Sequence, residues 1–317
     1  MSSPAPAAER PRVQDEPVVG MPLPESEITI GANDIRMYVN AVGDEAYWAF
    51  QARTLARTGD VVPPITLLDR DLTARIVGGP GVGIGFHAKQ EFRFHGTPRV
   101  GERYRISGEV ADVSERRGIG YFTTLTRVSP VDAAPGAPGT VLLESLYTRA
   151  FRFPRQQYPR GSGAPKLRFG EWLTERTTLT GNPFPQPGAI VEGRTSRMDQ
   201  GRLSLYSDQD SVLHTDPMMA RRRGLSGTVA QALMTTELEL ELYRDLFGLA
   251  LYRRGEIRAK YIEPIPVDCS LRAVCVVTGA SDELITLSSA VATTTGNVVS
   301  LADVTVRHWR TEDDVAE

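Results

Sequence analysis

The segment from Ser207 to Pro217 (SDQDSVLHTDP) contains residues whose types and spacing suit acid–base chemistry. His214 can exchange a proton near neutral pH, and two carboxylates, Asp208 and Asp210, precede it by six and four residues. A base that activates water and an acid that returns the proton need such a pair. Gln209, between the carboxylates, can bind water but cannot transfer a proton. The segment predicts a catalytic loop with His214 and either Asp210 or Asp208 as catalytic residues.

The loop leads into a segment that is predicted to present free backbone amides. Apolar residues at helical spacing predict a long helix from about Gly227 to Phe247. The first N–H groups of a helix have no intrahelical partner and stabilise negative charge. Gly227 and Thr228 are therefore predicted to polarise a carbonyl oxygen of the substrate. Other residues of the loop and the helix are predicted to position water or substrate: Gln209, Ser211 and Gln231.

The chain carries one pattern twice. Arg99–Val110 aligns with Pro266–Val277 at an offset of 167, and Ala41–Trp48 aligns with Tyr206–Leu213 at an offset of 165. Two matches at nearly the same offset predict a duplicated unit of ordinary domain size. In each half a helical segment precedes strands of an antiparallel meander. One long helix wrapped by an antiparallel sheet, made twice, predicts an α+β double hot-dog architecture whose sheets join edge to edge.

Composition predicts the boundaries of these halves. Residues 1–27 are rich in Pro and Ala and are predicted to be a disordered lead-in. Residues 28–155 are predicted to form a non-catalytic N-terminal hot-dog unit, and residues 189–312 a C-terminal unit that bears the pocket. Residues 156–188 between them have the Pro and Gly content of a linker.

Composition also restricts partners and location. A net charge of -3 over 317 residues leaves no basic face for nucleic acid. No apolar run approaches the roughly 18 residues of a membrane span, so a soluble cytoplasmic protein is expected. Cys269 and Cys275 are predicted to be two buried thiols. His87 and His95 are expected on one face of a strand, without the further ligands that a metal site needs.

On these residues the chain resembles the MaoC-like hydratases and dehydratases of enoyl thioesters. Their motif runs from an aromatic or large apolar residue through Gly-Asp and Asn-Pro to an aliphatic residue and a histidine. Aligned without gaps, Leu203 takes the first position and His214 the histidine. Downstream positions of the family are matched by Asp216, Ala220, Gly224 and Gly227. The resemblance covers roughly Ile28–Trp309.

The departures from the family pattern lie in the chemistry. Gly-Asp is replaced by Asp208-Gln209, and Asn-Pro by Ser211-Val212. At the helix entry Pro, His and Gly are replaced by Thr228, Gln231 and Ala232. The first half has Asp44 but carries Ala49 at the histidine position, so neither half has an intact Asp–His pair in register. Matching Tyr206 instead of Leu203 to the aromatic position would shorten the loop by three residues and move the carboxylate position away from Gln209.

Three functions fit these residues. In the leading hypothesis, His214 and Asp210 or Asp208 add water to a 2-enoyl thioester or remove it from a 3-hydroxyacyl thioester. In the second, the pocket cyclises or isomerises a polyketide-like substrate of secondary metabolism, and His214 acts alone. In the third, the protein is a non-catalytic acyl-binding subunit.

The resemblance also has implications for cofactors and partners. It implies no metal and no redox cofactor, and an acyl group carried on coenzyme A or on an acyl carrier protein. It is compatible with a homodimer. Arg221–Arg223 could attract a coenzyme A phosphate or the acidic face of a carrier protein, or form a solvated helix face.

Overall fold

The computed structural model describes residues 18–69, 85–116, 119–133, 139–151, 167–176, 182–207, 211–222 and 224–309. The strands in this part of the chain are β1 Ser26–Thr29, β2 Gly85–Phe94, β3 Arg103–Arg116, β4 Ile119–Pro130, β5 Leu143–Phe151, β6 Ile190–Met198, β7 Gly255–Tyr261, β8 Cys269–Ala280, β9 Leu284–Thr293 and β10 Val298–Arg307. They form one antiparallel sheet in the order β1-β3-β4-β5-β2-β7-β10-β9-β8-β6.

The sheet consists of two halves with the same strand order, which meet where β2 pairs with β7. From the outer edge to this junction, the order is β1-β3-β4-β5-β2 in one half and β6-β8-β9-β10-β7 in the other. We call the described residues up to 151 the first unit and those from 182 onwards the second unit. At the junction Glu91 pairs with Arg258, halfway along the ladder. Residues of β2 therefore correspond to residues of β7 at an offset of 167, the offset at which the sequences around β3 and β8 align. The predicted α+β double hot-dog architecture is confirmed.

Helices lie on both sides of this sheet, and most of them cover the side that carries the main hydrophobic core. The described helices are α1 Ala32–Val42, α2 Ala46–Thr58, α3 Thr66–Asp69, α4 Phe169–Arg176, α5 Gln200–Tyr206, α6 Val212–Thr215, α7 Pro217–Arg222, α8 Leu233–Phe247 and α9 Leu249–Arg254. Almost every side chain of α8 is buried, because strands of the second unit and the helices α1 and α2 of the first unit pack around it. Among the described helices none is long and apolar enough to cross a membrane.

Residues 1–17 of the predicted lead-in lie outside the described residues. Residues 18–27 fall inside the predicted disordered segment but are ordered against β3. Gly20 N–H donates to the Val110 carbonyl (2.8 Å) and Leu23 N–H to the Gly108 carbonyl (2.9 Å). These bonds satisfy the free edge of β3, which an exposed strand would otherwise present to other chains.

Part of the predicted linker also packs on the sheet. Residues 167–176 include helix α4, whose Trp172 is buried against Val276, Ala290 and Val298. The Pro- and Gly-rich composition around α4 predicted a linker and did not indicate that Trp172 would be buried.

The two thiols are free, as predicted, but only Cys275 is buried, and Cys269, at the start of β8, is partly exposed.

A bulge in β2 overturns one prediction about histidines. The register of β2 against β5 shifts between His87 and Lys89, which reverses the alternation of side chains by one residue. His87 therefore lies on the helix-facing side of the sheet with Gln90. His95 lies on the opposite side, with Nε2 3.4 Å from the Glu144 carboxylate. The prediction that His87 and His95 share a face is wrong.

Candidate active site

His214 is held by the segment that leads into α8. Its Nδ1 lies 2.6 Å from the Val229 carbonyl, and Val229 N–H donates to the Leu213 carbonyl (3.3 Å). Because a carbonyl only accepts hydrogen bonds, Nδ1 carries the proton and Nε2 keeps its lone pair. Nε2 has no hydrogen-bond partner among the described residues. Burial lowers the pKa of His214, so the imidazole is neutral near pH 7 and able to act as a base.

Gln200 positions the same short helix from the other side. Its Nε2 donates to the His214 carbonyl (2.9 Å), and its Oε1 accepts from the Thr228 hydroxyl (2.6 Å). One amide thus joins α5, α6 and the segment before α8. Sequence reasoning missed Gln200, because its partners lie 14 and 28 residues away and no local pattern marks the contact.

The long helix begins later than predicted. α8 starts at Leu233, six residues after Gly227. The intervening residues pair with an extended segment instead: Val267 N–H donates to the Thr228 carbonyl (3.2 Å), and Ala230 N–H donates to the Ile265 carbonyl (2.8 Å). The predicted amide donors Gly227 and Thr228 therefore do not lie at a helix N-terminus.

Three other amides occupy that position. The N–H groups of Gln231, Ala232 and Leu233 have no hydrogen-bond partner among the described residues. They open a buried helix of 15 residues, whose dipole favours negative charge at this end. They lie two to four residues after Val229, the residue that holds the His214 ring. A neutral base and a set of free amides therefore flank one short stretch of chain.

The chain on either side of the predicted carboxylates is held by hydrogen bonds. Asp208, Gln209 and Asp210 are outside the described residues. Before them, the buried Ser207 accepts a hydrogen bond from Gln231 Nε2 (2.9 Å). After them, the Ser211 carbonyl accepts from His214 N–H (2.9 Å). Through Gln200 and a backbone hydrogen bond, the structure brings together Ser211, His214 and Thr228. Gln231 is joined to Ser207 instead. Arg221 and Arg222 lie on the exposed side of α7, and Arg223 is outside the described residues.

Known proteins share this fold. Residues 17–137, less than half of the chain, match the family described as FAS1-like, dehydratase domain region. A protein described as a MaoC-like dehydratase superposes with a TM-score of 0.68 at 14% identity, covering 91% of this chain and 98% of that one. The chain has the double hot-dog fold of MaoC-like dehydratases. The predicted resemblance is confirmed.

Two further structures support the same assignment of the MaoC-like fold. A MaoC domain dehydratase from Chloroflexus aurantiacus gives a TM-score of 0.65 at 13% identity, covering 95% of this chain and 98% of that one. A Mycobacterium tuberculosis protein with a double hotdog fold gives 0.61 at 13% identity, covering 92% and 96%. No curated protein matches the chain in sequence.

A buried carboxyl group links the two units of this MaoC-like fold. Glu237 of α8 accepts hydrogen bonds from three hydroxyl groups, those of Tyr38 and Thr66 in the first unit and that of Tyr206 in the second (2.9 Å for Tyr206). Burial raises the pKa of Glu237 to about 7, although the hydroxyl donors lower it. A small cavity of about 10 Å³, lined by Tyr38, Thr66, Leu67, Leu205 and Tyr206, has room for one water.

The loop of the first unit that corresponds to residues 207–211 contains a buried ion pair. Asp44, which aligns with Gln209, receives two hydrogen bonds from the Arg244 guanidinium of α8 (2.6 and 2.9 Å). Both side chains are buried. The Arg244 guanidinium also lies over the rings of Tyr47 and Phe50, 5.5 and 5.4 Å from their centroids. The Asp44 carboxylate is therefore part of the packing between α2 and α8.

Proposed function

We propose that the protein adds water to a 2-enoyl thioester and removes it from a 3-hydroxyacyl thioester, with His214 as the base for hydration. The observation that carries this proposal is the neutral tautomer of His214, whose ring is fixed by the Val229 carbonyl. Val229 precedes by two to four residues the three helix-start amides that have no partner among the described residues. A buried neutral imidazole of this kind is suited to general-base catalysis near neutral pH.

The proton balance of hydration uses both features. Nε2 of His214 accepts a proton from water as the water oxygen bonds to the β-carbon. The electron pair of the double bond moves towards the thioester, and its carbonyl oxygen becomes an enolate oxygen. The amides of Gln231, Ala232 and Leu233 stabilise that charge. A protonated carboxyl group, Asp210 or Asp208 in this proposal, then delivers a proton to the α-carbon. Transfer of the proton from His214 to the resulting carboxylate restores both groups. Dehydration reverses these steps.

The remaining predicted residues have supporting roles in this scheme. Gln231 and Ser207, joined by their hydrogen bond, hold the start of the loop next to the helix amides. Gln209 and Ser211 bind the water or the substrate. Thr228 acts through Gln200, which fixes the backbone of His214. The acyl group would be carried on coenzyme A or a carrier protein, with Arg221 and Arg222 available to attract phosphate.

The test is hydration of crotonyl-CoA and longer 2-enoyl-CoA esters, followed by loss of the conjugated enoyl absorbance. His214→Ala is expected to reduce kcat/KM by about 10²–10⁴-fold, the usual contribution of a positioned acid–base group. His95→Ala is the matched control, because His95 is exposed on the outer side of the sheet. Absence of turnover on every chain length by folded protein would overturn the proposal and favour a cyclising or purely acyl-binding pocket.

The pH profile provides a second readout of the same base. The His214 pKa is lowered by burial, so the imidazole stays neutral to a lower pH than an ordinary histidine. The acidic limb of kcat/KM is therefore expected to have its midpoint below about 6.5. A midpoint above that value would contradict the assignment of His214 as the base.

A further inference from the structure

Helix α5 is joined to the candidate active site at both of its ends. Gln200, its first residue, donates to the His214 carbonyl (2.9 Å) and accepts from the Thr228 hydroxyl (2.6 Å). Ser207, which follows its last residue, accepts from Gln231 Nε2 (2.9 Å). The position of α5 therefore helps to set the position of the His214 backbone.

The last residue of α5 is bound to the buried carboxyl group of Glu237. The Tyr206 hydroxyl donates to Glu237 Oε1 (2.9 Å), and the Thr66 hydroxyl of α3 donates to the same oxygen. The Tyr38 hydroxyl of α1 donates to the other oxygen, Oε2. Both oxygens are thus held, so rotation of the carboxyl group would break at least one of these bonds. The position of Tyr206 depends in this way on two hydroxyl groups of the first unit.

A small cavity beside these hydroxyl groups leaves the cluster room to rearrange. Its volume is about 10 Å³, and it is lined by Tyr38, Thr66, Leu67, Leu205 and Tyr206. Protein interiors are otherwise close-packed and resist such movement. If one donor were removed, the carboxyl group of Glu237 could turn and the Tyr206 ring could shift towards the cavity.

The two helices that Glu237 joins are counterparts in the duplicated fold. Ala41 aligns with Tyr206 at the offset of 165, so α1 of the first unit corresponds to α5 of the second, and the two helices pack against each other. At the position of Gln200, α1 carries Ile35, which is buried in the core. The first unit thus has an apolar core residue where the second has the residue that holds His214.

We propose that Glu237, Tyr38 and Thr66 are positioning residues through which the first unit holds His214 in place. Glu237 fixes the end of α5, and the start of α5 fixes the His214 backbone. These residues act through the helix and not on the substrate. The inference rests on the proposed function only where it concerns catalysis, because the placement of His214 can be measured without turnover.

The direct measurement is hydrogen exchange at the His214 ring in the full chain. Protein labelled with ¹⁵N in its four histidines gives few signals, and His214→Ala assigns the Nδ1 proton that the Val229 carbonyl holds. Tyr38→Phe is expected to speed exchange of this proton with water about tenfold, because one hydrogen bond no longer opposes local opening. Thr66→Val repeats the test at the second donor if Tyr38→Phe does not fold.

Tyr47→Phe is the matched control for Tyr38→Phe. Tyr47 lies in α2 of the first unit, is buried as Tyr38 is, and donates through its hydroxyl to the Val62 carbonyl (2.7 Å). Each variant removes one buried hydroxyl and keeps the ring, but the bond of Tyr47 lies within the first unit. Tyr47→Phe should therefore leave exchange at His214 within about twofold of the native rate, because local opening there does not break this bond.

Kinetics give a second readout in the active protein. Tyr38→Phe is expected to lower kcat for hydration about tenfold with KM unchanged, because a displaced base weakens the transition state and not the binding of substrate. Tyr206→Phe should have the same effect, and the double variant no larger one, since both changes interrupt one path through Glu237. Tyr47→Phe should keep the native kcat.

The outcomes separate this inference from the proposed function. Faster exchange at His214 in Tyr38→Phe but not in Tyr47→Phe, without hydration by the native protein, would support the inference and overturn the hydratase proposal. Hydration with native exchange and native kcat in Tyr38→Phe would overturn the inference alone. Equal effects of Tyr38→Phe and Tyr47→Phe on exchange would also overturn it, because the cluster would then only stabilise the fold. Multiplied losses of kcat in the double variant would show that Tyr38 does not act through Tyr206.

Discussion

The loop that follows the first helix of each unit shows how the two copies have diverged. In the first unit, the carboxylate of Asp44 forms a buried, two-bond ion pair with Arg244. In the second unit, the His214 ring forms one hydrogen bond through Nδ1, and its Nε2 has no partner among the described residues. The buried carboxylate of the first loop contributes to packing, because a cation pairs with it. In the proposed mechanism, the imidazole of the second unit supplies the base.

This difference shows that a candidate reactive group is recognised by the hydrogen-bond partners that it does not have. Asp44 and His214 are both ionisable, both partly or wholly buried and both placed after the same helix of the duplicated unit. Residue type alone would have made either of them a catalyst. Their partners distinguish them, since a buried guanidinium neutralises the Asp44 carboxylate, whereas His214 Nε2 has no hydrogen-bond partner among the described residues.

The largest expected effect is a loss of stability when the ion pair of the first loop is broken. Arg244→Met leaves the Asp44 carboxylate buried without its cation and should lower the free energy of unfolding by about 3–5 kcal/mol. Arg197→Met is the matched control, because Arg197 and Asp268 form an ion pair (3.1 Å) whose side chains are 65% and 63% exposed. An exposed pair contributes about 0–1 kcal/mol. Urea unfolding of both variants measures the difference, and equal losses would show that the Asp44 pair is not structural.

The next largest expected effect tests which backbone amides of the second unit bind the enolate oxygen. Ala232→Pro removes one free amide at the start of α8, and its φ of -57° is compatible with proline. If that amide stabilises the enolate oxygen, kcat for hydration should fall by about 10²–10³-fold. Gly227→Pro removes an amide that sequence analysis had placed at the helix start, at a site with open space around it. Loss of kcat in Gly227→Pro alone would return the donor role to Gly227.

The fold could be predicted from the sequence further than the site could. Strand patterns and two matching offsets specify a duplicated unit, because hydrophobic alternation and repetition are local properties of the chain. The start of α8 could not be predicted, since residues 228–230 are drawn into pairing with residues 265–267. Tertiary pairing of this kind overrides helix propensity.

The buried charges of α8 show the same limit. The sequence ELELEL from Glu237 to Leu242 alternates in the way that normally places charges in solvent. In the structure each glutamate has its own distant partner: Tyr38, Thr66 and Tyr206 for Glu237, Ser289 for Glu239, and Arg194 for Glu241. Only the folded arrangement supplies these partners, so no local pattern could have located them. His214 could be proposed from the sequence because its neighbours in the chain carry a recognisable spacing.

The smallest effect concerns the carboxyl group of Glu237, which joins the two units through α8. The pKa of Glu237 is about 7 in the folded protein, above the roughly 4.3 of an unfolded glutamate. The folded state therefore binds more protons between these values, and this contribution to stability is lost as pH rises through about 7. Glu237→Gln cannot titrate, so its free energy of unfolding relative to the native protein should improve between pH 5 and pH 8.

The expected improvement is on the order of 1–3 kcal/mol. Comparing each protein with itself at two pH values removes the constant cost of replacing a carboxylate that accepts three hydroxyl donors. Glu45→Gln, at an exposed position before α2, controls for general effects of pH. Glu239 is expected to contribute in the same direction in both proteins, because burial raises its pKa to about 8. If the free energies of unfolding of Glu237→Gln and Glu45→Gln change alike with pH, Glu237 does not take up a proton on folding. The hydroxyl groups around it then contribute to packing alone.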